Sequence, residues 1–160
     1  MPHLRPSHPA DDIALAAVIR TVMTSYGAVG PGFSIEDAEV DQMHETYTAP
    51  RSLLLVVDDG TGQPIGCGGI APLEGGDPDT CELKKMYFLP EARGLGLGRE
   101  LMTALEAAAR DRGFRTIYLE TLDTMREAAR LYERMQYVPL PGPMGNTGHS
   151  RCNHFYGKEL

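Results

Sequence analysis

The stretch Glu82–Leu101, ELKKMYFLPEARGLGLGREL, joins a strand-like run, three glycines at alternate positions and an amphipathic helical pattern. A strand, a glycine turn and a helix N-terminus make a place where backbone N–H groups can hold phosphate. Two nucleotide signatures fail there. A dinucleotide fingerprint counted from Gly94 needs glycine at position 99, which is Arg99, and no GK[ST] follows for a P-loop. On the glycines alone, a phosphate cradle and a plain loop with a glycine N-cap stand level. Around this stretch lie titratable side chains whose plain readings are structural: Glu82 as a partner of Lys84 or Lys85, Glu120 as a solvated strand-end carboxylate, and Tyr132 as a filler of a helix stripe. His149, Cys152 and His154 are close in sequence. They could suggest zinc or a nucleophilic pair, but no fourth ligand or orienting third group accompanies them. No metal is expected, and a loop followed by an edge strand is the preferred reading; either histidine could line an acceptor pocket.

The elements that must position these groups follow from periodicity. Residues 2–8 are proline-broken and form at most an edge strand. Asp11 or Asp12 can cap a helix whose Leu15, Val18, Ile19, Val22, Met23 and Tyr26 share one face. Ser34 and Asp37 form a capping-box pattern that predicts a short polar helix to about Tyr47. Ser52–Val57 reads as a strand buried on both faces, DDGTG as a turn, and Ile65–Pro72 as its hairpin partner. Cys81–Leu89 is the next strand and Gly98–Arg112 a strong helix stopped by Gly113. Thr116–Leu122 is a strand; Thr124 can cap a helix bearing Ala128, Leu131, Tyr132 and Met135 on one face. Tyr137–Leu140 and His154–Leu160 close the sheet, with PGPMGNTGHS as a loop between them. The order implies an α+β, three-layer fold in one domain, residues 1–160: a mixed, mostly antiparallel sheet of six to seven strands with about four flanking helices.

Composition narrows the function. With 42% hydrophobic and 23% charged residues the chain can build a core, so pervasive disorder is excluded. A net charge of −7 disfavours nucleic acid and suits a cationic substrate such as an amine. Three cysteines without a CxxC spacing favour a reducing, cytoplasmic setting. No apolar run reaches the roughly 20 residues of a membrane span, and MPHLRPSHPADD has no apolar signal core.

Arg93-x-x-Gly96-x-Gly98, entered from a strand and leaving into a helix, is followed by Ala128-Ala129-Arg130-Leu131-Tyr132, an A-x-x-L-Y run. Together they resemble the GCN5-related N-acetyltransferase (GNAT) family, from Glu82 to Tyr137. The resemblance implies acetyl-CoA as co-substrate, its pyrophosphate on the turn Arg93, Gly94, Leu95, Gly96, Leu97, Gly98 and Arg99. It implies that Met86, Tyr87 and Phe88 pair with the pantetheine arm, an amide there holding the developing oxyanion. Tyr132 would face the thioester sulfur as acid. Glu120 is the first candidate base, Glu82 its rival, and a water chain the alternative to both. The acceptor would be a primary amine on a small molecule, an amino acid or a peptide, attacking directly in a ternary complex. Tyr26, Phe33 and Tyr47 are aromatic candidates for its pocket, and one of Arg99, Arg110, Arg112 and Arg115 for the 3′-phosphate. Two departures stand out: Met125 where the family often has Asn, and Gln136-Tyr137 in place of Gly-Phe. Two other functions compete, a CoA-binding sensor without catalysis and an acyltransferase for longer chains, the latter decided near Gly66–Gly69 and Phe88. A homodimer is compatible with the sequence.

Overall fold

The computed structural model describes residues 1–160. Seven strands form one sheet: β1 (His3–Pro6), β2 (Leu53–Asp58), β3 (Pro64–Pro72), β4 (Thr80–Phe88), β5 (Thr116–Thr121), β6 (Val138–Leu140) and β7 (His154–Glu159). Their spatial order is β1-β2-β3-β4-β5-β7-β6. Every neighbouring pair is antiparallel except β4 and β5. The helices are α1 (Asp12–Ser25), a single turn α2 (Met43–Thr46), α3 (Leu97–Asp111) and α4 (Arg126–Arg134). The α+β expectation, with a mixed, mostly antiparallel sheet and four helices, holds.

The apolar run of β2 explains the three layers. Successive strand residues face opposite ways. Leu54 and Val56 pack with Leu15, Ile19 and Met43 of α1 and α2. Leu55 packs with Leu101, Met102 and Leu105 of α3. Both faces are therefore covered, which is why the run does not alternate. The glycines of β3 bring the helices close: a Cβ on Gly68 would stand 2.8 Å from Leu101 Cδ2, and one on Gly69 2.8 Å from Tyr47 Cε1.

Two features open the sheet at its centre. β4 and β5 pair only from Thr80–Glu82 to Thr116–Tyr118, so from Leu83 onward the β5-facing side of β4 has no strand partner. Opposite, the β3–β4 register shifts between Cys67 and Gly69, and Lys85 takes a left-handed φ of 54°. That extra residue is a β-bulge, which bends the strand carrying it. Cys67 Sγ donates to the carbonyl of Lys85 at 3.1 Å and fixes the bulge.

Three local expectations need correction. Ser34 does not cap a helix: its hydroxyl bonds Tyr87 Oη at 2.6 Å, while Asp37 turns to Lys85 and His149. The segment forms two 3-10 turns, Ser34–Glu36 and Ala38–Asp41, before α2. Asp11 occupies the cap position of α1 without a side-chain bond into it; its carboxylate binds Arg5 and accepts the amide of His8. Met125, not Thr124, precedes α4. At the other end of α4, Gln136 adopts the left-handed φ of 69° that glycine would take without cost, and Tyr137 N–H closes on Tyr132 C=O at 2.9 Å.

Candidate active site

The parting of β4 from β5 leaves a groove of about 650 Å³ between the end of β4, the glycine turn and α4. Of the sequence-predicted cofactor residues, Met86, Tyr87, Phe88, Arg93, Gly94, Gly96, Leu97, Gly98 and Arg99 line it. Leu95 does not and points out, 59% exposed. The turn is built for an anion. Gly94 and Gly96 take φ of 73° and 77°, and a Cβ on either would meet no protein atom within 4 Å. None of the six amides from Gly94 to Arg99 has a backbone acceptor. They sit at the N-terminus of a 15-residue helix, where free N–H groups and the helix dipole favour phosphate. Gly98 has another reason: a Cβ there would stand 2.8 Å from Leu131 Cδ2, so it lets α3 and α4 meet.

Arg93 is partly structural. Its Nε donates to Phe88 C=O at 3.1 Å and its guanidinium lies over the Tyr26 ring at 5.8 Å. Among the arginines considered for the 3′-phosphate, only Arg99 lines the groove; Arg112 turns back to Ala108 C=O and Arg115 sits beside Asp79. Arg134, which sequence reasoning did not single out, lines it from α4.

A smaller cavity, about 60 Å³, abuts the groove and shares Met86, Tyr87 and Met125 with it. Glu82, Glu120 and Tyr132 all line this cavity, together with Ser34, Phe33, His149 and Cys152. Glu82 is the last β4 residue paired with β5, opposite Tyr118; Glu120 is two residues beyond Tyr118 on β5. The same strand end thus delivers both carboxylates.

The carboxylates differ in surroundings. Glu82 is 5% exposed and no hydrogen bond or ion pair holds it. Burial pushes its carboxyl up to about 7, nearby Glu120 adds to the rise, and Lys84, His149 and Lys85 oppose it. Glu120 accepts the hydroxyls of Tyr118 and Thr147, each at 2.6 Å. Burial works against its charge, but His149, Thr147 and Tyr118 outweigh that and leave it below the ordinary carboxylate value. His149 Nδ1 stands 3.7 Å from Glu120 Oε1, an ion-pair rather than a hydrogen-bond distance. Its Nε2 reaches Asp37 Oδ2 at 2.8 Å. Asp37 and then Glu120 lift the imidazole to about 9 against the effect of burial.

Tyr132 is buried, its ring tilted against Tyr137 and Tyr156. Burial raises its hydroxyl well above the ordinary value, so it stays protonated. Buried Lys85 bridges Asp37 and Glu39, at 2.5 and 2.9 Å, tying the segment before α2 to the bulge of β4. The polar atoms of Glu82, Glu120 and His149 lie within 4.8 Å of one another. That spacing would suit chelation, but His149 Nε2 is already engaged by Asp37 and Glu120 already accepts two hydroxyls.

Several expected residues fall elsewhere. Tyr26 lines the large groove rather than the smaller cavity, and Tyr47 packs in the core beneath Gly69. Only Phe33 of the three aromatics reaches the smaller cavity. His154 is exposed on β7, so His149, Cys152 and His154 do not converge. The space beside Gly66, Gly68 and Gly69 is filled by Phe88, Leu101 and Tyr47, while Phe88 itself lines the groove. Asp37, Lys85, Thr147 and Tyr118 were missed; each acts through a partner far away in the chain or through a hydroxyl with no motif around it.

The comparisons agree with this geometry. The model of the acetyltransferase (GNAT) family matches residues 18–137. The chain is 40% identical over 151 residues to the uncharacterized N-acetyltransferase YjgM of Escherichia coli (strain K12), covering 94% of this chain and 90% of that protein. In fold it matches an acetyltransferase of the GNAT family from Staphylococcus aureus Mu50 (TM-score 0.87, 17% identity, 100% and 99% of the two chains). It also matches yncA from Salmonella typhimurium, solved with acetyl-CoA (TM-score 0.77, 19% identity, 100% and 94%). This chain belongs to the GNAT family of N-acetyltransferases, and is an acyltransferase enzyme.

Proposed function

We propose that the chain is a single acyltransferase domain that moves acetyl from acetyl-CoA to a primary amine of a small molecule, amino acid or peptide, by direct attack in a ternary complex. The observation that carries this reading is Glu82: a buried, unpartnered carboxyl in a cavity that also holds Tyr132 and opens beside the cofactor groove. Glu82 rather than Glu120 is the base, because Glu120 is already held as an anion by three partners. Acetyl-CoA supplies the activated acyl group when bound along β4, with its pyrophosphate on the amides of Gly94–Arg99.

Glu82 takes a proton from the acceptor ammonium. The freed nitrogen attacks the thioester carbonyl carbon, and the tetrahedral intermediate collapses with loss of the carbon–sulfur bond. The departing thiolate takes the proton of Tyr132. The proton shed by the new amide nitrogen restores Tyr132, and that on Glu82 leaves to solvent. Burial keeps Tyr132 protonated until that moment.

The small cavity, about 60 Å³, is the size of an acetyl group rather than a longer acyl chain. The same retained machinery argues against a non-catalytic sensor. The three cysteines are free, in keeping with a reducing compartment such as the cytoplasm, and no helix is long and apolar enough to cross a membrane. The test is thiol release from acetyl-, propionyl- and hexanoyl-CoA with a panel of primary amines. Turnover with acetyl-CoA, falling as the chain lengthens, is expected. Acetyl-CoA binding without turnover by any amine would point to the sensor, and a preference for hexanoyl-CoA to the longer-chain enzyme.

A further inference from the structure

Met86, Tyr87 and Met125 line both the groove and the small cavity, and no other residue does. They therefore frame the opening between the two. On the reading above, coenzyme A lies in the groove while Glu82 and Tyr132 line the cavity, so the acyl group must reach through this opening. The acetyl-transfer steps give the Met125 side chain no task.

The three framing residues are held differently. Met86 and Tyr87 are neighbours on β4, so their side chains leave opposite faces of the sheet. Met86 packs toward α3, where a Cβ on Gly68 would stand 3.4 Å from Met86 Cγ, close to Leu101 and Leu105. Tyr87 packs toward α1, its hydroxyl bonded to Ser34 Oγ at 2.6 Å. Both are anchored in the sheet. Met125 comes from across the opening, at the residue before α4. Its backbone is pinned: the N–H donates to Leu122 C=O at 3.0 Å and the C=O accepts from Ala129 N–H at 3.1 Å. Its side chain makes no cap bond into α4, and the residue is half-buried. The sulfur has one polar contact, accepting the Thr121 hydroxyl at 3.6 Å. An unbranched, polarisable thioether of this kind fills an irregular gap without locking it.

We propose that Met125 is the specificity-determining residue for acyl length. Its side chain narrows the opening and walls the cavity where the acyl group ends, so acetyl fits and each further methylene must displace it. The inference rests on the acetyl-transfer reading. Truncation to alanine removes Cγ, Sδ and Cε at the opening and joins groove to cavity. One methylene in an apolar pocket decides about tenfold or more in kcat/KM, which sets the size of the effect.

The experiment compares Met125→Ala with Met125→Leu and Met135→Ala. Met135 lines the groove but not the cavity, so its truncation is the same chemical change away from the opening. Two quantities are read for acetyl-, propionyl- and butanoyl-CoA: kcat/KM with a primary amine, and affinity by calorimetry without amine. In Met125→Ala the acetyl-to-propionyl ratio of kcat/KM should fall about tenfold, and the acetyl-to-butanoyl ratio further. Met125→Val, a smaller cut that guards against misfolding, should move both ratios the same way. Met125→Leu, similar in volume, should keep them close to wild type. Met135→Ala should affect all three donors alike. Wild-type ratios in Met125→Ala and Met125→Val, or an equal fall in Met135→Ala, would overturn the proposal. Calorimetry separates it from the broader reading, because Met125→Ala should shift relative affinity toward butanoyl-CoA by about tenfold with no amine present. A shifted affinity ratio without turnover of any amine refutes the acetyl-transfer reading and leaves Met125 as the acyl selector. Amine acetylation with neither ratio moved refutes the role of Met125 instead.

Discussion

Glu82→Gln should move activity and stability in opposite directions. The side chain keeps its volume, so the change removes only an ionisable group. A general base contributes about 10²- to 10⁴-fold, or roughly 3–5 kcal/mol of barrier, so kcat/KM should fall by that factor. In wild type, kcat/KM should climb through pH about 7 as Glu82 loses its proton, and this limb should vanish in the variant. Stability follows from the same burial. The folded carboxyl holds its proton more tightly than the unfolded chain's ordinary 4.5, so wild type loses stability as pH rises from about 4.5 through about 7. That rise corresponds to an upper value on the order of 3 kcal/mol, reduced by any relaxation around the charge. Glu82→Gln should therefore match wild type near pH 4 and be the more stable protein at pH 8–9, by several degrees in melting temperature. The assays are thiol-release kinetics across pH 5–9 and thermal melts at pH 4 and 8.5. A variant that keeps the pH 7 limb, or melts like wild type at both pH values, refutes the assignment of Glu82 as a desolvated base.

Three further outcomes are expected. Tyr132→Phe should lower kcat by about 10²-fold while acetyl-CoA affinity by calorimetry is unchanged, because Tyr132 lines the small cavity and not the groove. Gly96→Ala forces a Cβ into a left-handed residue of φ 77°, which should cost about 1–2 kcal/mol and weaken acetyl-CoA binding, read by melting and by calorimetry. Gln136→Gly relieves the left-handed φ of 69° behind α4 and should raise the melting temperature by about 2–4 °C.

Much of the fold was legible because its signals are local. The apolar run of β2, the DDGTG turn and the stripe of α3 depend on spacing alone. The groove beside the glycine turn was legible for the same reason: free amides and left-handed glycines are properties of a single turn. What escaped depends on partners distant in sequence. Asp37 carries a capping-box pattern with Ser34, yet Lys85 and His149, 112 residues away, take its carboxylate. A local cap is worth about 1 kcal/mol, and a buried lysine and a histidine compete for the same oxygens. The contrast in surroundings between Glu120 and Glu82 was equally hidden. Only the arrival of Thr147 and His149 from the β6–β7 loop occupies Glu120 and leaves Glu82 bare. The glycines of β3 looked like room for an acyl chain, and the room is taken by Leu101, Tyr47 and Phe88.

The central claim is direct acetyl transfer to an amine in a ternary complex. Its most direct test is mass spectrometry of the wild-type enzyme incubated with acetyl-CoA, first alone and then with a primary amine found active in the thiol-release panel. The protein mass should be unchanged in both mixtures, and an N-acetylated amine should form, with CoA, only in the second. Acetylated protein formed without amine, and discharged when amine is added, would contradict direct attack.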